Sequence, residues 1–159
     1  MIFKKRNAVK KAEERLYFRD SLTGLWDKAS AYRVYETVKH DAVHEAVMVR
    51  LSSCKDMPYY KAEAFIRETG ALLPRICNED IFRIEAGDFV IFSKNARDWC
   101  KKLDFFLARM TEKDVSYAVA CDKLDENEDF VHFLSRLRRH VGTVEIANSF
   151  KCGNLAKNT

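Results

Sequence analysis

Apolar positions along the chain recur either every three to four residues, as on one helix face, or in short runs and alternations that mark strands. Residues 6–19 set Ala8, Val9, Ala12, Leu16 and Tyr17 among Lys, Arg and Glu, which predicts a short helix with a narrow apolar stripe. Leu22-Thr23-Gly24-Leu25 reads as a turn at Gly24, and Asp27 can then cap a helix to about Val43 with Tyr32, Tyr35, Val38 and Ala42 on one side. Residues 46–52 form an apolar run expected to be a buried strand. A helix follows over residues 60–77 with Ala62, Phe65, Ile66, Leu72 and Leu73 as its apolar positions, its second half weakened or bent by Gly70 and Pro74.

Residues 81–92 hold two strand-forming runs around Ala86-Gly87 and predict a β-hairpin. Asn95 can cap a helix whose stripe is Trp99, Leu103, Phe106, Leu107 and Met110. A strand over 115–121, a solvated acidic loop over 122–129, a helix carrying Phe130, Phe133, Leu134, Leu137 and Val141, and a last strand near Val144 complete the pattern. This order predicts an α+β sandwich, a mainly antiparallel central sheet of about five strands covered by helices.

At 159 residues the chain has room for one ordinary domain. The formal charge of +4 changes the picture because of where it lies: residues 1–19 hold seven Lys or Arg against two Glu, so the rest of the chain is close to neutral. An electrostatic footprint for nucleic acid should lie on the folded domain rather than on its leader, so nucleic-acid binding is not expected. Lys4-Lys5-Arg6 after Ile2-Phe3 suits the cytoplasmic flank of an upstream membrane or sensor segment. The five cysteines are odd in number and lack a Cys-x-x-Cys pair, as reduced cytoplasmic thiols would.

The string Asp20-Ser21-Leu22-Thr23-Gly24-Leu25-Trp26-Asp27-Lys28 resembles the D-x-L-T-G-L-x-N-R opening of GGDEF (diguanylate cyclase) domains, and Arg83-Ile84-Glu85-Ala86-Gly87-Asp88-Phe89 stands where that family has R-Y-G-G-D-E-F. The resemblance covers about residues 19–150 and divides the chain into a basic signalling leader (1–19), a degenerate GGDEF domain (20–150) and a tail (151–159). It implies the nucleotidyl-cyclase-like, ferredoxin-like palm. In active members two domains each hold one GTP, and two metal ions carry the charge while cyclic di-GMP forms.

Set against that chemistry, the residues here are altered. The first-strand metal-binding Asp of the family falls on Arg50, a cation where an anion is needed, and the next Asp falls on Ser52. The signature itself reads Glu85, Ala86, Gly87, Asp88, Phe89: its third-position carboxylate is Gly87, and Asp88 keeps a shorter acid at the fourth. The guanine-reading Asn falls near Pro58, which has no amide pair to offer. The product-inhibition motif is out of register, with Arg75 opposite Asn78 at its spacing.

The resemblance therefore implies no catalytic residue, no metal ligand and no cofactor, with Mg²⁺ expected only if activity is retained. The expected function is a catalytically inactive regulatory module of cyclic-di-GMP-type signalling that forms a homodimer or pairs with a heterologous signalling domain. The alternative is a retained pocket for a different nucleotide or phosphate compound, held by Ser52, Ser53, Lys55, Gly87, Asp88 and Arg139. Arg50 is expected to pair with Asp88 or Glu85 across the old site, since a buried charge needs a partner. His40 and His44, four apart on a helix end, read as surface histidines, and Arg136, Arg138, Arg139 and His140 as a solvated or partner-facing helix end.

Overall fold

The computed structural model describes residues 18–110 and 114–157. The predicted leader helix falls almost wholly on residues 1–17, outside the described residues. The elements are α1 (Lys28–Val38), β1 (Glu45–Leu51), a 3₁₀ turn (Ser52–Asp56), α2 (Tyr59–Ile76), β2 (Ile81–Glu85), β3 (Asp88–Ser93), α3 (Ala96–Met110), β4 (Tyr117–Lys123) and α4 (Phe130–Lys157). The strands form one sheet in the order β2-β3-β1-β4, every neighbour antiparallel.

Alternation along the strands sorts side chains into two layers. Ala46 and Met48 of β1, Val90 and Phe92 of β3 and Ala118 and Ala120 of β4 face α1 and α4, around Tyr35, Phe130, Phe133, Leu137 and Val141. Val47, Val49 and Leu51, Phe89 and Ile91, and Val119 face α2 and α3, around Ile66, Leu73, Leu103 and Leu107. The predicted α+β class stands, with the sheet covered on both faces.

Several predicted elements change in extent. The expected last strand near Val144 is helix: Phe133, Leu137, Val141 and Val144 keep one helical stripe against the core, while Ile146 points outward, 61 % exposed. The sheet therefore has four strands among the described residues, and α4 runs on to Lys157, across the boundary drawn at 150. The first helix stops at Val38 rather than Val43, and its core face is Ala31, Val34, Tyr35 and Val38, leaving Tyr32 half exposed. In α3 the buried stripe is Ala96, Leu103 and Leu107 with Trp99 and Cys100 partly buried, whereas Phe106 is exposed and the Met110 side chain lies outside the described residues.

The second half of α2 is continuous helix through Gly70 and Pro74. Gly70 is there for a close approach: a Cβ at this position would lie 2.6 Å from Cβ of Thr23. Helix propensity alone would have alanine stabilise this position by about 1 kcal/mol. Because Thr23 is held by its own turn, Gly70→Ala is expected instead to destabilise by about 1–2 kcal/mol through overpacking, read as a lower urea midpoint.

No helix among the described residues is long and apolar enough to cross a membrane.

Candidate functional site

Two loops bring together the two strings on which the resemblance rests. Asp20 closes the 20–25 turn by accepting hydrogen bonds at Oδ2 from the Thr23 amide (2.9 Å) and hydroxyl (2.7 Å), with Gly24 in the left-handed region at φ +73°. Its other oxygen, Oδ1, accepts from Nη1 of Arg83 at 2.9 Å. Burial alone would raise the Asp20 carboxyl, but the Thr23 and Arg83 hydrogen bonds outweigh it and hold Asp20 below its ordinary value. Trp26 then bridges alongside β2, its amide donating to Ile81 O at 3.2 Å and its carbonyl accepting from Arg83 N at 2.8 Å. Asp27 caps α1, accepting from the Ser30 amide at 2.9 Å.

At the C-terminal end of β1, Arg50 stands on the α1/α4 face with Asp88 directly opposite it in the β1–β3 register. The guanidinium meets the carboxylate at two points, Nε to Oδ1 at 2.7 Å and Nη2 to Oδ2 at 3.1 Å, while Nη1 donates to Oε1 of Glu145 from α4 at 2.8 Å. The three side chains are 12 %, 11 % and 16 % exposed respectively. The hydrogen bonds to Asp88 and then Glu145 outweigh desolvation and hold Arg50 in its charged form. From the same helix Arg138 reaches Asp88 (3.5 Å) and pairs with Glu85, which also meets Lys28 of α1 at 3.3 Å. Glu85 is held below its ordinary value, chiefly by the Arg138 hydrogen bond.

Alternating charges thus run Glu145, Arg50, Asp88, Arg138, Glu85, Lys28 and tie β1, the hairpin, α4 and α1 together. Of the two carboxylates considered for Arg50, Asp88 is its partner and Glu85 is not. Glu145 escaped the sequence reading because it lay in the supposed last strand. The signal that could have found it is the Arg138-to-Glu145 spacing of two helical turns, which puts both on one face of α4.

This arrangement does not suit a divalent metal. The Arg50 guanidinium holds the Asp88 carboxylate at both oxygens and neutralises it. Among the described residues no three His, Cys, Asp or Glu side chains cluster to hold a metal ion. His40 and His44 lie beyond the end of α1 rather than on one helix face, and they meet Glu126 at 3.9 Å and Asp41 at 3.0 Å respectively.

The candidate phosphate-binding residues do not converge. Gly87 is buried against β1, where a Cβ would lie 2.8 Å from that of Leu51, so its smallness serves strand packing. The Arg139 side chain is exposed, and the arginine that reaches the hairpin is Arg138. Ser52 and Ser53 line a cavity of about 620 Å³ that adjoins the cluster at Glu145, together with Asp56, Met57, Asp114, Ser116, Tyr117, Asn148 and Ser149. Asp56 and Asp114 there oppose a polyphosphate, while Glu145 is held by Arg50. The Lys55 side chain lies outside the described residues.

One expectation of solvated charge changes: Arg136 is locked between Asp122 (2.8 Å) and Glu128 (2.8 Å). The acidic loop is mostly exposed, as expected, while the Glu128 carbonyl accepts from the Tyr35 hydroxyl at 2.6 Å and Asp129 accepts from the His132 amide at 2.8 Å. Burial of Tyr35 pushes its phenol up to about 12.

The hairpin turn stores strain at Ala86, whose φ of +46° is in the left-handed region. Ala86→Gly is expected to stabilise by about 0.5–1 kcal/mol, seen as a higher melting temperature.

No protein-family model matches the chain, and no curated protein matches it significantly. Solved structures do match in fold. The GGDEF domain of FimX from Pseudomonas aeruginosa is 14% identical with a TM-score of 0.63, over 79% of this chain and 92% of that one. A sensory box/GGDEF family protein from Caulobacter crescentus is 12% identical with a TM-score of 0.66, over 81% and 98%. The S helix-GGDEF-EAL chain of Vibrio cholerae LapD, bound to c-di-GMP, is 12% identical with a TM-score of 0.68, over 94% of this chain and 39% of that one.

Proposed function

Starting from the GGDEF-domain fold that the chain shares with these structures, we propose that it is a regulatory module of cyclic-di-GMP-type signalling that does not catalyse the cyclase reaction. The observation that carries this reading is the Arg50–Asp88–Glu145 ion-pair cluster, which fills the end of β1 with a cation where the resemblance places a metal-binding acid. Two metals and a triphosphate need uncommitted anionic ligands, and Asp88 is committed to Arg50 while Gly87 offers none. The signalling class is supported by fold relatives such as the LapD chain, itself bound to c-di-GMP.

With chemistry removed, the remaining role is recognition. The module acts by pairing with a second copy or with a catalytic domain, and the ion-pair ladder keeps α4 and the hairpin in one fixed arrangement for that contact.

The test is incubation of the purified protein with GTP and Mg²⁺ or Mn²⁺, with products separated by chromatography. No cyclic di-GMP above the protein-free control is expected, and time-dependent product proportional to protein would overturn the reading. Light scattering, alone and with a catalytic GGDEF domain, then reads the pairing.

A further inference from the structure

The α2/α3 side of the sheet carries two thiols that the regulatory reading does not use. Alternation along β4 places Cys121 on this side with Val119. The inward stripe of α3 runs Ala96, Cys100, Leu103, Leu107, and the helix packs on β4, so Cys100 comes down over that strand. Cys121 lies close enough to act on the Cys100 thiol, yet both cysteines are free and neither is fully buried. They line a surface cleft of about 380 Å³.

The rim of that cleft carries Arg97, Lys101 and Lys123 against Glu45 and Asp122. Arg97 meets Glu45 at 3.3 Å, while Lys101 and Lys123 are exposed to solvent. The surplus of positive charge favours an anionic reagent.

We propose that Cys100 and Cys121 are a reversible redox pair, oxidised to an intramolecular disulfide by a small anionic disulfide of the glutathione disulfide type. Burial, and then the neighbouring Cys121, push the Cys100 thiol up to about 12, so Cys100 keeps its proton while Cys121 attacks. The Cys121 thiolate bonds to one sulfur of the reagent, whose S–S bond breaks and expels one thiolate. Cys100 then loses its proton to water and attacks the Cys121 sulfur, forming the Cys100–Cys121 bond and expelling the second thiolate. Two electrons pass from the protein to the reagent, which leaves as two thiols. The cross-link ties α3 to β4, which lies at the end of the strand order.

The test exposes the reduced full-length protein to excess glutathione disulfide, blocks remaining thiols by alkylation, and maps peptides without reduction. The expected product is a monomer with Cys100 joined to Cys121, restored by dithiothreitol. A glutathione adduct on Cys121 should stay below about a tenth of that product, since a thiol held nearby in the fold outcompetes one from solution. In C100S the adduct on Cys121 should accumulate instead. Stable adducts on both cysteines of the unaltered protein, cross-links to Cys54, Cys77 or Cys152, disulfide-linked dimers, or both thiols still open to alkylation would each overturn the proposal, and the unaltered protein alone suffices should the variant misfold.

Discussion

Arg50→Ala is expected to lower the stability of the folded chain by about 3 kcal/mol, the lower end of the range for removing one partner from a buried ion pair. The loss arises less from the missing attraction than from what remains. Asp88 and Glu145 are 11 % and 16 % exposed in the ion pair, and without the guanidinium their charges lose their bidentate and single hydrogen bonds. Arg138, 3.5 Å from Asp88, recovers part of the cost. Urea titration should show a lower midpoint at unchanged slope.

The double variant Arg50→Ala/Asp88→Ala should be less unstable than the two single losses added together, with a coupling of about 1–3 kcal/mol. Arg139→Ala, on the exposed side of the same helix, should stay within about 0.5 kcal/mol. A loss below about 1 kcal/mol for Arg50→Ala, the ordinary worth of an exposed pair, would mean that the cluster is not a buried plug.

The second large effect lies in the core beneath the plug. Phe133→Ala is expected to cost about 4 kcal/mol, within the range for removing a fully buried aromatic ring. Phe133 is inaccessible to solvent, and its ring centroid lies 4.7 Å from that of Tyr35, 6.0 Å from Phe92 and 6.2 Å from Phe130. These rings hold α4 to the sheet and to α1, and the position of α4 sets the reach of Arg138 and Glu145. Denaturant titration with near-ultraviolet circular dichroism should show both the lower midpoint and the loss of fixed aromatic packing. Ile146→Ala should by contrast be nearly neutral, within about 0.5 kcal/mol, because Ile146 is on the outer face of α4. A large loss at Ile146 would argue for the strand that the residues around Val144 first suggest.

Much of the fold was legible because β1, β3 and β4 are short apolar runs and the helices carry wide stripes, which are local signals. The Asp20–Arg83 contact was legible only as two strings 63 residues apart, and the structure supplies the reason that they belong together. Helix ends were less legible. Asp27 marks the start of α1 by its side chain, but nothing comparable stops it at Val38, and residues 39–44 turn away to enter β1. Val144-Glu145-Ile146 alternates as a strand does over three residues, and the longer helical stripe from Phe133 overrides it.

The candidate site divides in the same way. Arg50 against Asp88 could be anticipated from charge alone, because a cation placed in a buried strand demands an anion. The rest depended on direction. Arg138 and Arg139 are equivalent in sequence, and only the docking of α4 turns the first toward the hairpin and the second to solvent. Ser52 and Ser53 are close in sequence to Arg50, yet they line the adjoining cavity, because the chain leaves β1 after Leu51 and turns.

By itself the sequence determined the α+β class, the two-layer alternation of the strands, a cation at Arg50 within an apolar strand and a hairpin turn at Ala86-Gly87. These follow from residue type and near-neighbour spacing. Only the tertiary structure decided that Glu145 is the third member of the cluster, that Arg138 rather than Arg139 reaches Asp88, and that Cys100 and Cys121 line one cleft. Each of these depends on how α3 and α4 are set on the sheet, and that setting is the sum of many apolar contacts rather than a property of any short stretch of chain.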